Sequence, residues 1–127
     1  MITDDLRTYL LADATISGLV GTRIDPNKLS QNPTLPAVTY TMISAQRPSN
    51  ADSPAIVTGQ RIQIDCWGST YAQAVNVFEA IRKRLNGKSS GDIIVALLDN
   101  EREFYEPEPE LYRRSADFMV WSAEATS

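Results

Sequence analysis

Few residues in this chain have types and spacing that could do chemistry. Cys66 is the sole thiol, and none of the 127 residues is histidine. Without histidine, Ser-His-Asp and Cys-His nucleophiles are excluded, as are His-bearing zinc sites. A nucleophilic thiol wants a cationic or basic activator. Cys66 instead alternates with Ile62 and Ile64, which predicts a small buried apolar residue. Gly87-Lys88-Ser89 looks like the end of a phosphate-binding loop, but that motif requires glycine five positions earlier, where Arg82 stands. It also requires a preceding strand, and the pattern before Gly87 is helical. Asp99, Asn100, Glu101 and Glu103 group carboxylates as a hard cation would want, without the central glycine and spacing of a calcium loop. They read as a solvated acidic edge. No catalytic, cofactor-binding or metal-binding residue is expected, and the chain reads as a non-enzyme. A hydrolase using carboxylates with a metal stays open as an alternative, unsupported by any spacing.

Net charge is −4 and unevenly spread. Residues 1–98 carry 8 acidic and 9 basic groups, whereas residues 99–127 carry 8 acidic and 3 basic. The acidity sits chiefly at Asp99, Glu101, Glu103, Glu106, Glu108 and Glu110. That balance argues against tight phosphate-backbone binding, which needs a clustered positive surface. Hydrophobic content of 43% with 22% charged residues is globular rather than disordered. A single domain over 1–127 is expected, since a chain this long buries enough surface to need no disulfide or metal. The start, MITDDLRTYLL, is acidic where a signal peptide is basic, and the longest apolar run, Ile93–Leu98, is far too short to span a bilayer. No membrane role is expected, and a lone cysteine suits the cytoplasm.

The elements that would position these residues are legible from periodicity. Thr3 to Ala14 reads as a helix with Ile2, Leu6, Tyr9 and Leu10 on one stripe, followed by a short turn from Ile16 ending at Gly21. Residues 25–36 read as loop. Pro36–Ile43 predicts a strand with Val38, Tyr40 and Met42 on one face. Arg61–Trp67 alternates more cleanly, Ile62, Ile64 and Cys66 against Arg61, Gln63 and Asp65. Thr70 and Gln73 form a capping box for a helix whose stripe is Tyr71, Ala74, Val75, Phe78, Ile81 and Leu85. Arg82, Lys83 and Arg84 sit in its last turn, where cations offset the helix dipole, and Asn86-Gly87 stops it. Gly87 to Gly91 reads as a connector. Ile93–Leu98 and Leu111–Trp121 predict two more strands, the latter with Ala116, Phe118 and Val120 on its core face. The expected fold is α+β: a mainly antiparallel sheet of about four strands, a long helix packed on one face, and an N-terminal helix.

Two segments stand outside that plan as excursions: a polar loop, 44–58, and the acidic stretch, 99–110 with its EPEPE run. Loops this long are usually functional or disordered, and both readings of 44–58 stay open. Trp67 and Trp121 fall opposite their strands' core residues, with Met119 beside Trp121. The preferred reading has the first helix cover that face through Leu6, Tyr9 and Leu10; the other leaves an apolar patch for a protein contact. Candidate contact residues, to a subunit or another partner, are Arg47, Ile56, Val57, Trp67, Met119 and Trp121.

The stretches LRTYLLADATISGLVGTRIDP (Leu6–Pro26), LPAVTYTMIS (Leu35–Ser44), GQRIQIDCWGSTYAQAVNVFEAIRKRL (Gly59–Leu85) and LYRRSADFMVW (Leu111–Trp121) together resemble the tail-completion, or tail-terminator, proteins of long-tailed phages, prophages and gene transfer agents. The strongest signals are an alternating strand ending in Asp65-x-Trp67, a Ser/Thr-Tyr helix start, and the late Leu-Tyr-x-x-x-x-Asp-Phe strand. The resemblance implies a non-enzymatic virion protein at the junction of tail and head, assembled in the host cytoplasm. It implies a homo-oligomer, typically a hexameric ring, that caps the finished tube and contacts the tail tube protein and the head–tail connector protein. DNA would pass through without specific binding, and Asp99, Glu101, Glu103, Glu106, Glu108 and Glu110 are expected in part to line that lumen. The alternative is a small adaptor or immunity-type protein binding a basic partner through its acidic segment.

Overall fold

The computed structural model describes residues 2–29, 33–46, 55–90, 93–107 and 110–125. The elements run α1 (Ile2–Leu11), α2 (Ala14–Val20), β1 (Ile24–Pro26), β2 (Ala37–Gln46), β3 (Ala55–Gly68), α3 (Tyr71–Leu85), β4 (Lys88–Ser90), β5 (Ile93–Pro107) and β6 (Glu110–Ala125). The class is α+β, but the sheet has six strands in the order β1-β2-β3-β6-β5-β4, not about four. It is mixed: β1 runs parallel to β2 and every other pair is antiparallel. The two added strands are short. β1 lies where loop was expected, and β4 replaces part of the glycine-serine connector.

The clean alternation of β3 is realised: Ile62, Ile64 and Cys66 are fully buried, opposite Phe118, Ala116 and Arg114 of β6. α3 starts as its sequence predicts. Thr70 Oγ1 accepts from the Gln73 N–H at 3.2 Å, while the Gln73 amide oxygen accepts from the Ser69 N–H at 2.8 Å, one residue before the expected position. Its buried stripe is Ala74, Val77, Phe78, Ile81 and Leu85. Val77 joins this core, whereas Tyr71 stands exposed. Burying each large side chain of this kind contributes roughly 1.5–3 kcal/mol. Asn86 caps the helix and Gly87 follows at φ 75°, a left-handed turn that a side chain would strain.

Several expectations are corrected by strand length. β2 continues to Gln46 and β3 begins at Ala55, so the 44–58 excursion shrinks to at most 47–54, which lies outside the described residues. A register shift between Met42 and Ser44 interrupts the pairing, and Met42, expected inward with Val38 and Tyr40, is 43% exposed there. The acidic stretch is no excursion either: β5 carries it to Pro107 in register with β6, and Glu110 opens β6. At about 3.3 Å per residue, these two strands make a hairpin roughly 50 Å long.

All three helices lie on one face. Leu6, Leu10, Ile16 and Val20 join Phe78, Ile62 and Phe118 in one buried cluster. The first helix therefore does not cover Trp67 and Trp121. It is tied to the end of α3 instead: the Tyr9 hydroxyl donates to the Arg84 carbonyl at 2.9 Å, the Arg84 Nε donates to the Tyr9 carbonyl at 3.1 Å, and its guanidinium sits 3.8 Å over the Tyr9 ring.

Cys66 lies inside this core, and burial pushes its thiol far above the ordinary range. Folded protein is expected to resist a small aromatic disulfide reagent and to react with it fully once unfolded in denaturant. Rapid labelling under native conditions would contradict the buried placement.

Candidate interaction surface

With the helices on one side, the other face of the sheet is formed by the alternate residues of β2, β3, β6 and β5. Its centre is a charged ladder. Arg61 donates to Asp99 at 2.7 Å and to Asp117 at 3.1 Å; Arg102 donates to the other Asp117 oxygen at 3.2 Å and to the Gln63 amide oxygen at 3.1 Å. Gln63 then donates to Asp65 at 2.9 Å. Asp117, at 14% exposure, bridges two arginines and holds the ladder together. Single exposed pairs contribute about 0–1 kcal/mol; the value of this set lies in fixing side chains across three strands.

Each end of the ladder is aromatic. At one, Trp67 donates its indole N–H to Thr39 Oγ1 at 3.0 Å, and the Arg113 guanidinium stacks 5.1 Å from the Trp67 ring and 4.1 Å from Phe104. At the other, Trp121 pairs with Gly59 and Val95, and Met119 with Arg61 and Leu97. The Trp121 ring lies so close over Gly59 that a Cβ there would sit 2.5 Å from it. Of the expected contact residues, Trp67, Met119 and Trp121 share this face. Ile56 and Val57 are paired in β3 opposite Glu124 and Ala123, their side chains being outside the described residues, as is all of Arg47.

The carboxylates of the acidic segment, expected in part to line a lumen, are divided. Asp99, beside a register shift in β5, reaches Arg61 on the open face. Glu101 and Glu103 are on the helix face and share Arg114, at 2.9 Å for Glu101 and in close contact for Glu103. Glu106 and Glu110 are exposed near the hairpin end with no cationic partner among the described residues, and Glu108 lies outside them. No cluster of three metal-ligating side chains occurs among the described residues. In the basic triplet, Arg82 pairs with Glu79 at 2.7 Å, holding that carboxyl below its usual range, and Arg84 is taken up by Tyr9.

A feature the sequence reading missed lies where the hairpin passes the start of α3. Tyr71, Val75, Glu103, Tyr105, Tyr112 and Arg114 line a half-open cavity of about 330 Å³. Tyr71 meets Tyr112 edge-on at 6.3 Å, and Tyr105 lies 4.8 Å from Tyr112. The Tyr71 hydroxyl donates to Glu103 at 2.9 Å, which raises its pKa, and burial raises that of Tyr112. The available signal was tyrosine recurring on both sides of EPEPE, at Tyr105 and Tyr112.

Comparison with known proteins gives two findings. The family model described as tail completion protein gp17 matches residues 4–123. A solved chain from the virion of a native gene transfer agent particle has a similar fold, with a TM-score of 0.67 at 16% identity over 94% of this chain and 92% of that one. No curated protein matches in sequence.

The close approach at Gly59 is directly testable. Gly59→Ala is expected to lower stability to urea by about 1–3 kcal/mol through overpacking, and Trp121→Ala in the same chain is expected to remove most of that loss. An equal loss in both backgrounds would show that the Trp121 ring is not its cause.

Proposed function

Because the chain belongs to the tail completion protein gp17 family, we propose that it is a structural virion protein that closes the finished tail as a ring and joins it to the head connector. The observation that carries this reading is the extent of the family match, which runs from α1 to β6. The fold likeness to a chain from a gene transfer agent virion supports it. So does an architecture that covers one sheet face with helices and leaves the other set with fixed charges and aromatic rings. Partners follow from the role: further copies of the chain, the tail tube protein on one side and a connector protein on the other. The role is structural and asks for no cofactor. An adaptor reading through a free acidic segment loses ground, since Arg61 and Arg114 engage Asp99, Glu101 and Glu103.

Particles assembled without this chain are expected to show over-long or unjoined tails in the electron microscope. Normal joined particles would refute the role.

Within this reading, the part of the acidic segment that faces passing DNA is the hairpin end with Glu106 and Glu110, where like charge would repel phosphates; Glu108, between them in sequence, lies outside the described residues. Replacing all three by lysine should leave assembly intact and create salt-dependent binding to duplex DNA. An intact ring that gains no DNA affinity would place these residues away from the lumen.

A further inference from the structure

Among the described residues, the sheet order leaves two strand edges open. On one side β1 pairs with Val38 to Tyr40 of β2, and no described strand lies beside Thr41 to Gln46. On the other, β4 pairs with β5 only at Ile93 and Ala96, and Asn86 accepts the Leu98 N–H at 2.8 Å. Beyond Leu98, the outer edge of β5 has no described strand beside it as far as Pro107. Open edges of this length expose backbone donors and acceptors that template another strand.

Side-chain exposure marks the same places. Among the described residues, seven large hydrophobic side chains are exposed, and four lie on these two open edges: Met42 and Ile43 on β2, and Phe104 and Tyr105 on β5. The two edges differ in charge. Thr41 to Gln46 contains no ionisable group and no proline, whereas the β5 edge carries Asp99, Glu101, Glu103 and Glu106 against one cation, Arg102. Two β5 edges meeting about a twofold axis would bring together two segments with four carboxylates to one arginine each, their Glu101 and Glu103 already sharing a single Arg114. Two β2 edges meeting would leave Phe104 and Tyr105 bare. β2 against β5 avoids both.

We infer that the open edge of β2 in one copy adds to the open edge of β5 in the next, so that subunits join head to tail through a continued sheet. The contact is heterologous, as ring closure requires. This inference rests on the ring reading above and names the surfaces that would close it.

Single cysteines at Ile43 or Thr41 on one edge, and at Phe104 or Asn100 on the other, test it in the otherwise intact chain, where Cys66 is buried. The variants are checked for unchanged circular dichroism and thermal midpoint, oxidised singly and in mixtures, and run without reductant beside native mass spectrometry. Mixing unlike edges is expected to give covalent dimers that neither variant gives alone. Ile43→Cys/Phe104→Cys in one chain is expected to give a ladder ending at the size of the native oligomer. An intact oligomer without unlike-edge cross-links, or with same-edge cross-links, overturns the inference and leaves the ring reading standing. Monomers at every concentration, with no cross-links, overturn both.

Discussion

The unbroken antiparallel register of β3 against β6, from Ala55 opposite Ala125 to Gly68 opposite Tyr112, is the constraint on which the rest of the molecule depends. Because side chains alternate along a strand, a slip of one residue would exchange the two faces of the sheet. In the observed register, Ile62, Ile64 and Cys66 meet Phe118 and Ala116 beneath α3, and Arg61 and Gln63 stand with Asp117 and Met119 on the other side. The core, the charged ladder and the placement of both tryptophans all follow from that one pairing. Gly59 belongs to it too, since only a residue without Cβ lets Trp121 lie flat across the strand.

The register also explains how acidic residues in the last quarter of the chain are tolerated. β5 follows β6, so Glu101 and Glu103 come to rest where Arg114 can face both, and Asp99 comes to rest beside Arg61. Three of the segment's carboxylates thereby face a cation, Arg114 serving two of them from within the segment and Arg61 serving Asp99 from the rest of the chain. Among the described residues, the carboxylates of this segment without a cation, Glu106 and Glu110, lie near the hairpin end, away from the three helices' shared core.

The elements with a single strong period were readable from residues alone. β3 alternates without exception from Arg61 to Trp67, and α3 has both its cap at Thr70 and its stop at Gly87 in the local sequence. β5 was not readable beyond Leu98. Its later residues are charged or aromatic on both faces, and the arginine that makes the inner carboxylates acceptable is supplied by another strand. Placing α1 failed for a similar reason. Its apolar stripe fits either face of the sheet, and the choice is made by Tyr9 with Arg84, 75 residues apart in sequence. Of the candidate site, the residue types on the open face were visible in the alternation around Trp67 and Trp121, but not the ladder, which needs strands β3, β5 and β6 in register. The open edges were invisible, because they depend on strand order.

An uncovered, rigid sheet face and two unlike edges suit a protein whose surfaces are completed by neighbours, as membership of a tail-completion family leads one to expect. Electron cryomicroscopy of the junction between head and tail in the mature particle tests that account most directly. Density for this fold should form a closed ring at the head-proximal end of the tail tube. Finding the chain elsewhere in the particle, or absent from it, would contradict the account.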